Sequence, residues 1–87
     1  MEDSAKQTIL GDLAQVEKTL SEDSTGDRAR EMLAYFDEVA RSSEEMLRRA
    51  SVDTERQLLT RLIEGFHAAQ RIIRHVWETL HSMVLPA

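Results

Sequence analysis

The chain has 87 residues, no Cys and a formal net charge of -5, so it can build one small core without disulfide or thiolate-metal reinforcement. The charge is uneven: residues up to Asp27 carry seven acids against Lys6 and Lys18, and nine acids balance nine arginines from Arg28 onward. An acidic leader on a neutral body argues against nucleic acid and against an anionic membrane surface, both of which need a net basic face.

Helix formers dominate throughout, and the period-two alternation of strands is absent. Ser4-Ala-Lys-Gln7 reads as a capping box. It opens a first helix over about 4–20, whose apolar positions Ile9, Leu13, Val16 and Leu20 step by four, three and four. Gly11 inside it costs about 1 kcal/mol relative to Ala. The polar run Ser21-Glu-Asp-Ser-Thr-Gly26 then breaks the chain.

A second helix is expected over about 27–50, capped by Ser24 or Asp27. Its seam is Ala29, Met32, Phe36, Val39, Ser43, Met46 and Ala50, with Leu33, Ala40 and Leu47 in a parallel row. Ser51 or Asp53 can cap a third helix over about 53–83. The connection between them holds neither Gly nor Pro, so one long kinked helix is the competing reading.

The third helix carries the strongest pattern: Leu59, Leu62, Phe66, Ala69, Ile73, Val76, Leu80 and Met83 keep a heptad alternation. Ile63, Trp77 and Val84 flank that seam on one side, and Leu58 and Ile72 on the other. Arg61, Glu64, Arg71, Arg74, Glu78 and His81 take the opposite, polar face. The predicted fold is all-α: a short N-terminal helix followed by a long antiparallel hairpin, in one domain spanning 1–87.

The apolar faces are wider than a two-helix hairpin needs. Leaving Leu33, Ile63, Ile72 and Trp77 wet would forfeit about 1.5–3 kcal/mol for each large side chain, so the surplus marks a partner site. The alternatives are a first helix that folds back to close a three-helix bundle, and a homodimer in which two hairpins cover each other. Within the hairpin, Leu33, Phe36, Val39 and Met46 should pack against Leu62, Phe66, Ala69, Ile73 and Val76. Leu58, Ile72, Trp77, Leu80 and Val84, with Leu13 and Val16 of the first helix, should face a partner, and Trp77 is the anchor candidate.

No catalytic or cofactor motif is found. Glu64-Gly-Phe-His67 and Glu78-Thr-Leu-His81 have the spacing of di-iron ligands, but both lie on one helix about 21 Å apart. A solvated face with local i,i+3 contacts accounts for them. His75 has no second His at i+4 for zinc. Neither catalytic residues nor a metal nor any cofactor is expected.

The elements together resemble a known family. A leading Leu13-Ala-Gln-Val16-Glu17-Lys-Thr-Leu20 meets an acidic break, Glu22-Asp23-Ser-Thr-Gly26-Asp27. Then come Met32-Leu33 and a closing helix with Ala68-Ala69, Ile72-Ile73, Val76-Trp77 and Leu80-His81. This pattern is similar to the YscE/EscE-type co-chaperones of bacterial type III secretion, over nearly the whole chain. The resemblance implies a cytoplasmic, non-enzymatic helical hairpin that pairs with a tetratricopeptide-like chaperone. Together the two keep the secretion needle subunit monomeric and soluble before export. A self-associating helical-bundle adaptor with no secretion role is the alternative, and a homodimer is expected when the partner is absent.

Overall fold

Residues 15–86 are described by the structure, a computed structural model. Three helices follow one another: α1 (Val16–Ser21), α2 (Asp27–Arg49) and α3 (Asp53–His81), and no strand occurs among the described residues. The fold class expected from the sequence is therefore found. The proposed capping box, Ile9, Gly11 and Leu13 lie outside the described residues.

Helix α2 starts differently from expectation. Its N-cap is Gly26, in the left-handed region at φ 82°, and that residue supplies no side-chain cap. The first-turn donors are satisfied from outside instead. Asp23 is 6% exposed, and its carboxylate accepts the Arg28 N–H at 3.1 Å and the Ala29 N–H at 2.9 Å. A carboxylate at the positive end of the helix dipole is also electrostatically favourable. Glycine is needed at position 26 on two counts. Its φ disfavours any Cβ, and a Cβ there would lie 2.6 Å from Leu85 Cδ1.

The turn between α2 and α3 is made without Gly or Pro. Ala50 and Val52 are both extended, at ψ 134° and 128°, which stops one helix and aims the next. Neither Ser51 nor Asp53 caps α3; the N-cap is Val52, without a side-chain hydrogen bond. The α2 carbonyls are held from the far side of the turn. Arg56 Nη1 donates to Leu47 O at 2.8 Å and Ala50 O at 2.9 Å, placing a cation at the negative helix end. The two helices measure about 35 and 44 Å at 1.5 Å per residue and run antiparallel.

Ser82, at φ 52°, ends α3, short of the expected 83. The chain then folds back. The Leu85 N–H donates to Glu78 Oε2 at 2.9 Å, Arg30 Nη1 donates to Pro86 O at 3.2 Å, and Leu85 is buried.

The core sits at the end of the hairpin reached by α1 and by this tail. Leu20, Ala29, Met32, Ile73, Trp77 and Leu85 form one buried cluster, with Val16, Leu33, Phe36 and Val76 packed against it. Towards the α2–α3 turn only α2 and α3 are present among the described residues, and a seam residue there meets one neighbouring described helix. Ala40, Ser43 and Leu59 are buried, and the Phe36 and Phe66 rings lie 6.2 Å apart. Met46 and Leu62, expected inside the hairpin, are exposed at 54% and 41%, because among the described residues no third layer extends that far.

Candidate functional site: an exposed apolar face on α3

Helix α3 buries one side and leaves a second apolar row in solvent. Leu58, Ile72 and Leu80 are 58%, 62% and 40% exposed. Of the residues expected to face a partner, these three stand free on the helix surface. Val84 is more exposed still, at 78%, but it belongs to the tail beyond α3. Val16 is half-buried and packs on the chain's own core. Leu13 lies outside the described residues.

Trp77 departs from its expected place. It is fully buried, and its Nε1–H donates to Asp23 O at 2.7 Å. The His81 ring stacks on it, with centroids 4.4 Å apart and planes inclined by 28°. A buried indole pays for desolvation of its N–H unless that group finds an acceptor. The bend after α1 supplies one, through the same Asp23 whose carboxylate caps α2. Trp77 is thus the hub joining α1, α2 and α3, and it offers no surface to a partner.

The second Glu-x-x-His pair also sits differently from the polar-face expectation. Glu78 and His81 are half-buried. Glu78 receives the tail N–H, and His81 Nε2 lies 2.6 Å from Leu20 O. The first pair stays exposed, with His67 Nδ1 3.2 Å from Gln70 Oε1. Among the described residues no group of three or more His, Cys, Asp or Glu is placed to hold a metal ion.

Most charged side chains of α2 are paired along its own surface. Arg28–Glu31, Arg41–Asp37 and Arg49–Glu45 pair at 2.9, 3.0 and 3.1 Å, and Arg30–Asp27 and Arg48–Glu45 pair as well. The hydrogen bond from Arg48, reinforced by its charge, holds the exposed Glu45 carboxyl below its ordinary range. Such exposed pairs keep α2 solvated and helical and contribute little to stability.

The apolar row of α3 has no such complement. Its member residues come at 4-3 spacing: Leu58, Leu62, Gly65, Ala69, Ile72, Val76 and Thr79. No charge interrupts the row, and a Cβ added at Gly65 would meet nothing within 4 Å. A helix face of that kind has the spacing with which helices pack on one another.

One family of proteins matches the chain over residues 2–79, and its description is type III secretion system regulatory protein HrpD6. The chain belongs to this HrpD6 family. Membership associates it with type III secretion. The description is of a regulatory protein, coarser than the needle co-chaperone that the YscE/EscE resemblance implies. No curated protein and no solved structure gives a significant match. Among the described residues no helix is long and apolar enough to cross a membrane.

What sequence reasoning missed here is Leu85 and Asp23. Leu85 follows the last heptad and precedes Pro86, so no periodicity flags it. Asp23 lies inside a polar run that reads as a solvated break. The signal that could have found it is a carboxylate a few residues before a helix whose own N-cap is Gly.

Proposed function

We propose that this HrpD6-family chain is a co-chaperone of type III secretion. In this reading it pairs in the cytoplasm with a tetratricopeptide-like chaperone, and the two keep the needle subunit monomeric and soluble before export. The observation that carries the reading is the uncharged, exposed apolar row of α3, on a chain whose family belongs to type III secretion. A repeat protein built of helix pairs presents apolar grooves between helices, which suit a long exposed helix face. Burying Leu58, Leu62 and Ile72 there, with Leu80 beside them, would remove the exposed large apolar side chains of α3 from water. The role is one of binding alone and requires no catalytic residue.

The test is co-expression of the chain with a tetratricopeptide-like needle chaperone and a needle subunit of a type III secretion system. A stable ternary complex is expected. Replacing Leu58 and Ile72 together by Asp should weaken capture at least about 30-fold, corresponding to about 2 kcal/mol, with helical content unchanged. Failure of the wild-type chain to bind the repeat protein would overturn the proposal.

A further inference from the structure

We propose that the shallow cleft between α2 and α3 lined by Leu33, His67, Gln70, Arg71 and Arg74 binds side-chain carboxylates of an acidic segment of a partner protein. The two arginines of this cleft differ from those of α2. Each of the five arginines of α2 has an acid three or four residues away and paired with it. Such pairs are explained by the helix they stabilise. The residues three and four positions either side of Arg71 are His67, Ala68, Arg74 and His75, none of them acidic. For Arg74 they are Gln70, Arg71, Trp77 and Glu78, and the Glu78 carboxylate accepts the Leu85 N–H at 2.9 Å instead. Among the described residues neither guanidinium has an ion-pair partner.

Like charges at this spacing weaken a helix, so the stability of α3 gives no reason for placing Arg71 and Arg74 together. Nor are acids scarce, since the chain has 16 against 11 lysines and arginines. The acids are elsewhere, and Glu64, one turn before His67, bounds the basic stretch.

The cleft is also organised by hydrogen bonds. Gln70 Nε2 donates to Leu33 O at 3.0 Å, which ties α3 to α2. A carbonyl only accepts, so this bond fixes the orientation of the Gln70 amide and turns its Oε1 to His67 Nδ1, 3.2 Å away. His67 Nδ1 therefore carries a proton, and Nε2 is the ring nitrogen left for a ligand. His67, Arg71 and Arg74 are all exposed and lie within about 10 Å of helix. Two guanidinium groups match carboxylates in planar, two-pronged contacts. The half-buried Leu33 between them and α2 gives the methylenes of a glutamate an apolar floor.

The size of the patch and the charge around it favour a short protein segment. A nucleic acid or an anionic membrane would lay further phosphates across Glu64 and the acids of α2 on a chain of net charge -5. The cleft and the apolar row are on opposite sides of α3. Leu62 and Arg71, two and a half turns apart, point in opposite directions about the axis. Whatever covers the row leaves the cleft open, and this inference does not depend on the co-chaperone reading.

The test uses the isolated full-length protein, isotope-labelled, with the backbone, Arg Nε–H and imidazole signals followed by NMR. The probe is a short polyglutamate peptide with blocked ends, and polyglutamine of the same length and inorganic phosphate are its controls. Saturable shifts confined to His67, Arg71, Arg74 and their neighbours are expected, weakening as salt is raised. Replacing Arg71 and Arg74 together by Gln should weaken binding at least about tenfold with helicity unchanged, whereas Arg61→Gln, about 15 Å along the helix, should leave it as in the wild type. No binding at millimolar peptide, shifts spread evenly over all arginines, or shifts that survive the double substitution would overturn the proposal. Equal shifts with polyglutamine would show that carboxylates are not what is recognised, and tighter binding of phosphate would overturn the assignment to a protein segment.

Discussion

Replacing Trp77 by Phe separates a core role from a surface role most cleanly. The indole is fully buried and its N–H is bound to Asp23 O at 2.7 Å. Phe keeps an aromatic ring for His81 to stack on but supplies no donor. The Asp23 carbonyl is then left inside the protein without its partner, at a cost of about 1–3 kcal/mol. The smaller ring also leaves a void beside Leu20, Met32 and Leu85, worth about 1 kcal/mol more. Together these give about 2–4 kcal/mol, a large part of the stability of a small domain. Urea denaturation followed by circular dichroism at 222 nm measures it. With a slope of about 1–1.5 kcal/mol per molar urea for a chain of this size, the midpoint should fall by more than 1 M with the slope unchanged. A Phe variant within about 0.5 kcal/mol of wild type, the range of ordinary surface substitutions, would refute the reasoning. The hub at Trp77 would then be a loose contact, and the junction of α1 with the hairpin would have to be held otherwise.

Two further substitutions test the ends of α2. Gly26→Ala should cost about 1–2 kcal/mol for the left-handed backbone alone, and the new methyl should displace Leu85. The variant is therefore expected to show loss of tail protection in hydrogen exchange as well as a lower urea midpoint. Arg56→Ala removes both guanidinium contacts to Leu47 O and Ala50 O. It should destabilise by about 1 kcal/mol, with faster exchange at the α2–α3 turn and none at the Trp77 end.

The sequence by itself determined the helices, because heptad spacing and helix-forming composition act locally. The seam Leu59 to Val76 and the break around Gly26 are visible without a structure, whereas near Ser51, without Gly or Pro, the sequence left a reversal and one kinked helix both open. It also exposed the surplus of apolar surface on α3, since Leu58 and Ile72 lie off the seam whatever the tertiary arrangement. What it could not decide was which surplus residue is wet. Trp77 and Ile72 both flank the seam, yet one is fully buried and the other 62% exposed. The difference is made by α1 and the C-terminal tail. These pack at the Trp77 end of the hairpin only, and they bring an acceptor to the indole N–H from a residue 54 positions away. Periodicity records the angle of a side chain about its own helix. Burial also depends on what lies opposite at that height along the axis, and only the folding back of Leu20, Asp23 and Leu85 supplies it.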